Sequence, residues 1–577
     1  MKELVWNLKD IFQDDHEFEE SFEIVKQKVT HLKQYQESNW SATALWKLLE
    51  EYWDMKEKCN RILIYGSFGY YKDVQNPSMI EQKRRVEEFS SQIDCETDWI
   101  PKQIVKIGQD VITDWMLQLP KLEKYHLYFD NLFRMKNHLV KDPKTEHENQ
   151  NRINQKITEY TNLIHHMEFP NIQVEGKEIT LNTSNMNKYL NSRNRDVRKN
   201  AFLSINSSYH EKCQQYVEIM NEIYKKRIEN AHLGNNTTVL ESVLMKEKID
   251  ATVIENLIQT IQKSLPLLQK YMSLKMQYLE IEDPHLYDVG VPLDNKNQHK
   301  YSLEDAISMI RQALKPVGKE YLQIVDRLLD GHIDATLDPK KHQSITFSWN
   351  SYSFLNYKES YVDVKNLIHE LGHIVNYELS HQNQPYLYED STIFVGEIAS
   401  ISNEIFLNRY LYQNAKMKGE KIFYLSKEIE NYVTSVFRQT MYTEFEMELY
   451  KMATTDSLTT TKVITLYSQL QQKYYGKDIS YDEVAKYEWM RLGHLFRWSY
   501  YPYKYATGLM MAGILVNGIL TGTISIKQYI HFLSSGSSKY SLDLLKDLNM
   551  DILDISVMEK GLQILKDDVE EFEKLVK

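Results

Sequence analysis

The segment "KNLIHELGHIVNYEL", Lys365 to Leu379, sets two histidines four residues apart around a glutamate in an otherwise apolar run. Leu367, Ile368, Leu371, Ile374 and Val375 give that run the periodicity of a buried helix. On a helix, positions i and i+4 share a face with Cβ atoms about 5–6 Å apart, so His369 and His373 can aim imidazole nitrogens at one cation. Zinc takes nitrogen ligands at about 2.0–2.1 Å, which two such rings can reach. Glu370 lies about 100° further round the axis. It stands beside a cation rather than on it, where its carboxylate can take a proton from an activated water. Gly372 lets another backbone or a substrate come close, at a cost of about 1 kcal/mol in helix propensity. The apolar flanks supply the dry wall such a water needs.

A catalytic zinc needs a third protein ligand, and "DSTIFVGEIASISNEIFLNRY" offers one. Asp390 or Ser391 can cap this second helix, and Glu397 is the acid on its apolar early face of Ile393, Phe394, Ile398 and Ile401. A buried carboxylate must be exposed, paired or metal-bound, and metal is the preferred reading. The ligand set of His369, His373 and Glu397 points to one Zn2+ per chain, with manganese and cobalt as the other ions such donors accept. Glu404 lies two turns beyond Glu397, about 10 Å along the axis and too far to share the ion. It is either a surface acid or a group supporting a ligand from behind. His381 and Glu389 are expected on the surface, in the loop between the two helices.

The elements that must position these residues are mostly helical. The chain has 577 residues and 42% hydrophobic content, enough for a large core in two or more parts. In "HEFEESFEIVKQKVTHLKQY" the residues Phe18, Phe22, Ile24, Val25, Val29 and Leu32 recur at helical spacing. Similar patterns fill the first 165 residues. "FPNIQVEGKEITLNTSNMNKYL" predicts a hairpin turning at Glu175-Gly176, with helix resuming near Met186. A second extended stretch, Ser344 to Tyr357, lies just upstream of the histidine segment. Helices then run to the end, with turns near "HQNQP" and "YYGKD". The expected division is a helical lobe with its hairpin over 1–190 and a mainly helical catalytic region over 191–577.

Composition excludes several classes. The net charge of −12 argues against nucleic acid or an anionic membrane as partner. "YATGLMMAGILVNGIL", Tyr505 to Leu520, falls short of the roughly 20 apolar residues a span needs and reads as a core helix. The opening residues lack the apolar core of a signal peptide. Three widely separated cysteines, Cys59, Cys95 and Cys213, fit a reducing cytoplasm. The sequons at Asn182, Asn206 and Asn236 are then chance matches.

Taken together, "HELGH", the glutamate of "GEIASISNE" 24 residues after the second histidine, and "HLFRWSYYPYKYATG" further on resemble the thimet-oligopeptidase-like zinc peptidases. The similarity is greatest to the oligoendopeptidase F branch, and "NSRNRDVRKNAF" extends it upstream. The resemblance implies His369, His373 and Glu397 as zinc ligands and Glu370 as general base. It implies a mainly α fold of two helical lobes around a deep central channel, with a small sheet next to the zinc helix. It also implies short unstructured peptides as substrates. Peptide hydrolysis passes through an oxyanion that needs hydrogen-bond donors, and His494, Tyr500, Tyr501, Tyr503 and Tyr505 offer them within a short span. The resemblance favours His494 and Tyr503, with Tyr500 or Tyr501 next. The histidine-to-tyrosine spacing here is one residue longer than the family pattern. This chain also lacks the glycine that relatives carry near the start of the strand before the zinc helix, which would narrow the approach or stiffen the loop.

The expectation is a cytoplasmic zinc endopeptidase acting on internal bonds of oligopeptides. One rival is a zinc exopeptidase, which would need a charged anchor for a peptide terminus. The other is a catalytically dead peptide-binding scaffold, which would be expected to lack one of the four site residues.

Overall fold

Apolar spacing sets the architecture. A computed structural model describes residues 3–36, 40–136, 142–293 and 300–577. The chain is mainly helical with two small sheets, as the sequence predicts. The first helical stripe forms Asp15–Leu32, capped by Asp14, whose carboxylate accepts from the N–H groups of His16 and Glu17. Phe18, Phe22, Val25, Val29 and Leu32 are buried, while Ile24 falls off the stripe and is exposed.

The first hairpin pairs Ile172–Val174 with Lys177–Ile179. Its two turn residues, Glu175 and Gly176, have φ of 51° and 76°, the positive values a two-residue turn requires to match strand twist. The second extended stretch also closes as a hairpin, Phe347–Trp349 against Tyr352–Phe354, turning at Asn350 with φ 52°. Ile333–Asp334 adds a third, parallel strand on the far side of Tyr352–Phe354. Two residues are too few to show alternation, so that strand is not visible in the sequence. Phe347–Trp349 is left as the edge. The stretch Tyr505 to Leu520 lies within the helix Pro502–Thr521. Among the described residues no helix is long and apolar enough to cross a membrane.

The chain packs as two compact units, each built from three segments. The first contains Met1–Asn137, His299–Leu407 and Val516–Asn549; the second contains His138–Gln298, Asn408–Leu515 and Met550–Lys577. In the first unit one core joins the N-terminal helices to the second hairpin. Trp6 stacks on Phe68 with centroids 4.3 Å apart, Phe347 and Phe354 stack at 5.5 Å, and the Trp6 indole donates to the Ser353 carbonyl at 2.8 Å. In the second unit Asn194 caps the long helix Arg195–Leu233, and Arg195 and Arg198 both reach the buried Asp288. Asn206 and Asn236 are buried, so two of the three sequons sit where no glycan fits.

Candidate active site

The histidine helix runs Tyr361–Asn383 and opens with a reciprocal cap between Ser360 and Asp363. The glutamate helix runs Ile393–Asn414. Its cap is Thr392, not Asp390 or Ser391: the Thr392 hydroxyl accepts from Val395 N–H at 3.4 Å. The two helices touch at Gly372, where an added Cβ would stand 2.4 Å from the Cα of Ser400. Only glycine admits that approach, so of the two partners its position allowed, the structure selects another backbone. Asn403 fastens the same contact by donating to the Ile368 carbonyl at 3.2 Å.

This contact brings His369, His373 and Glu397 together. One donor atom from each lies within 4.8 Å of the others, and among the described residues this is the one cluster of three such side chains able to hold a metal ion. The two Nε2 atoms are 3.2 Å apart, and Glu397 Oε2 is 3.9 Å from that of His369. Two ligands of a tetrahedral ion at about 2.0–2.1 Å lie about 3.4 Å from each other, so the histidine pair already has the required bite.

Glu404 is not a surface acid. It accepts from His369 Nδ1 at 2.6 Å and pairs with Lys365 at 2.9 Å. That bond orients the ring and leaves Nε2 toward the cluster, as carboxylates behind metal-binding histidines do. Burial works to raise the Glu404 pKa, but Lys365 and His369 hold it down at about 2. Burial likewise opposes charge on His369, yet Glu404, with Glu370 and Glu397 beyond it, carries that group up to about 9. Burial and the neighbouring His369 push His373 down to about 3. Burial raises Glu397 above the usual carboxylate value.

Glu370 is buried beside the cluster and does not belong to it. Ser348, on the edge strand of the second hairpin, donates to its carboxylate and exchanges a hydrogen bond with Ser353 at 2.7 Å. Burial raises the Glu370 pKa, against the pull of His369 and Ser348.

Ser348 and Lys365 were not foreseen from the sequence. Ser348 alternates with Phe347 and Trp349, which marks it as facing the other side of its strand; Lys365 precedes His369 by one helical turn. His381 and Glu389 also differ from expectation. His381 is in the last turns of the histidine helix, and Glu389 is buried, accepting from His381 at 2.6 Å and from the Tyr377 hydroxyl at 2.7 Å.

The C-terminal aromatic segment lies in the second unit and divides its side chains. His494 sits on the short helix Gly493–Arg497 with rings of Tyr501 and Tyr505 each 5.8 Å away. Its Nδ1 is buried without a partner, and burial, then Arg497, lowers its pKa. Tyr503 is buried and its hydroxyl has no partner. Tyr500 turns inward: it stacks on Tyr450 at 5.3 Å, and its N–H donates to the buried Glu446 at 2.9 Å. Tyr500 has φ 51°, a strained value for a residue with a side chain.

The sequence and the fold are similar to those of known proteins. The family model for Peptidase family M3 matches residues 188–564. The chain belongs to peptidase family M3. Among M3 relatives, Oligopeptidase PepF of Bacillus subtilis is 28% identical over 99% of this chain and 87% of its own. An Oligoendopeptidase F homolog of Lactococcus lactis is 26% identical over 100% and 98%. A solved structure from Chlamydophila abortus superposes with a TM-score of 0.91 at 25% identity, covering 99% of this chain and 98% of that one. Oligoendopeptidase-F from Enterococcus faecium shares the fold, with a TM-score of 0.73, 23% identity, and 97% and 99% coverage. As an M3 member the chain is a peptidase. The family implies a divalent metal, and the donors of His369, His373 and Glu397 fit one.

Proposed function

We propose that the protein is a zinc-dependent endopeptidase that hydrolyses internal bonds of short unstructured peptides. The observation that carries this reading is the convergence of His369, His373 and Glu397 within 4.8 Å, with the buried Glu370 next to them. A zinc ion held there would supply Lewis acidity to the attacking water and the scissile carbonyl. Glu370 takes the proton from that water and returns it to the leaving amine, and Ser348 keeps the carboxylate aimed while it does so. Glu404 holds His369 in the tautomer that presents Nε2. The resemblance to the oligoendopeptidase F branch assigns His494 and Tyr503 as donors to the oxyanion, and each carries a buried polar atom that has no partner within its own unit. Tyr501 keeps the His494 ring in place, and Tyr500 anchors the segment through its backbone.

The start of the family match at residue 188 supports a catalytic region over 191–577 as a division of the sequence, while the N-terminal helices pack in the same compact unit as the metal-cluster helices. Free thiols at Cys59, Cys95 and Cys213, together with buried sequons, support a cytoplasmic location. The decisive experiment measures bound metal and cleavage of an internally quenched peptide about ten residues long, blocked at both ends, before and after chelation. Internal cleavage that stops with chelation and returns with zinc is expected. Trimming of free-ended peptides alone would replace the reading with an exopeptidase, and no cleavage of either would leave a peptide-binding protein.

A further inference from the structure

The second unit contains a cavity of about 450 Å³ lined by none of the residues assigned above to catalysis. Asn187 and Asn191, both exposed, lie at its rim, and the buried Tyr442 and Tyr467 form its inner wall. Three cations, Lys275, Arg438 and Arg491, and two acids, Glu430 and Glu488, line it, leaving one positive charge in excess. Two of the cations are satisfied. Lys275 pairs with Glu430 at 2.9 Å and donates to the Val289 carbonyl at 3.0 Å, and Arg491 faces Glu488 at 3.6 Å.

Arg438 is the exception. Its Nε is buried with no hydrogen-bond partner, and the nearest compensating charge, Glu488, acts on it only at a distance while facing Arg491. The Tyr467 hydroxyl in the same wall is also buried, next to Tyr442. An arginine cannot escape such a site by losing its proton, so the vacant hydrogen-bonding capacity is costly unless something fills it. The backbone places it there deliberately. A π-helical turn, Tyr432–Phe437, ends at Arg438 and contributes Val433 and Thr434 to the cavity. Such turns insert an extra residue into a helix and recur at functional sites. Without it, the side chain at 438 would point about 100° away.

We propose that this cavity binds a small organic carboxylate, gripped by the Arg438 guanidinium and the Tyr467 hydroxyl, with its apolar body against Met272, Met441 and Phe202. A guanidinium fork matches a carboxylate with two parallel hydrogen bonds. The single excess charge balances a monoanion, whereas Glu430 and Glu488 would repel a phosphate dianion. A cavity of this volume takes a small molecule with an apolar body, which a bare halide lacks. The carboxylate is either a free acid or the C-terminus of a peptide, and the proposal is independent of the metal centre.

Calorimetric titration of the full chain with N-acetylphenylalanine, its amide and acetate tests it. The acid is expected to saturate one site per chain and the amide to bind at least ten-fold more weakly. Arg438→Gln should weaken the acid at least ten-fold while leaving the melting temperature of the unliganded protein equal or higher, since it removes a cation whose buried Nε has no partner. Arg438→Lys keeps the charge without the fork and should bind the acid weakly but still ahead of the amide. Displacement by acetate alone identifies a free-acid site, and displacement only by an N-acetylated tripeptide acid identifies a peptide end. Equal binding of acid and amide, absence of acid binding, or undiminished binding in Arg438→Gln overturns the proposal. So does a lower melting temperature in Arg438→Gln, the mark of an arginine that holds the fold together.

Discussion

The histidine and glutamate helices and the segment from Gly493 to Tyr505 place chemical groups by opposite means. In the first region the metal-cluster donors hang from two regular helices, and one glycine sets the distance between them. In the second, a five-residue helix gives way to extended Trp498, left-handed Tyr500 and the start of a new helix at Pro502. Its direction depends on anchors far away in sequence: Tyr500 N–H donates to Glu446, Ser499 bonds the Tyr450 hydroxyl, and the Phe496 carbonyl accepts from Arg227. Periodic backbone bonding makes side-chain positions follow from spacing. A path set by an unusual dihedral and several distant anchors leaves spacing uninformative.

Five sets of variants test this contrast. The largest effect is expected from His369→Ala or Glu397→Ala, which should remove both bound metal and peptide turnover, read by metal analysis and the quenched-peptide assay. Glu370→Gln should cut turnover by about 10²–10⁴-fold with metal content unchanged; substantial turnover in that metal-replete variant would remove Glu370 from the mechanism. Glu404→Gln keeps the shape behind His369 but loses the charge, and competition with a chelator should show metal affinity lower by about 10–100-fold.

Gly372→Ala drives a methyl into the Ser400 backbone and should cost about 1–3 kcal/mol in denaturant unfolding. Gly396→Ala is the milder control, because its Cβ would meet only the His373 ring at 3.5 Å. Equal losses from the two would break the claim that Gly372 sets the helix spacing.

A pH-dependent test lies in the second region. Burial pushes Glu446 from an ordinary 4.5 up to about 8, so the folded chain keeps a proton that the unfolded chain releases. That contribution to stability is fully present below about pH 4.5 and is lost as the pH rises toward 8. Glu446→Gln retains an acceptor for Tyr500 N–H and does not ionise. Its melting temperature relative to the natural protein should therefore climb between pH 5 and pH 8, and a flat difference would show that Glu446 does not titrate there.

The same contrast explains what could be read before the fold was known. His369, Glu370, His373 and Glu397 follow from helical geometry and the cost of burying a carboxylate. Glu404 stays ambiguous in sequence because its distance along its own helix is legible while the neighbour it faces is not. Ser348 is harder still: it reaches Glu370 only because a three-residue edge strand folds back over the histidine helix. Glu389 looks like a loop acid until Tyr377 and His381 close over it. In the aromatic segment the residue types are informative, but which tyrosine turns inward is decided by the φ of Tyr500 and by Glu446.

The bond from Trp6 to the Ser353 carbonyl also orders events during synthesis. The indole emerges 347 residues before its acceptor, which at about 5–20 residues per second is a delay of roughly 20–70 s. Throughout that interval the aromatic surface of Trp6 and Phe68 has no hairpin to cover it, so the nascent chain carries an exposed sticky face for most of its translation. The strand that holds Glu370 through Ser348 is therefore among the later parts to be secured, and the base is locked only once the beginning and the middle of the chain have met.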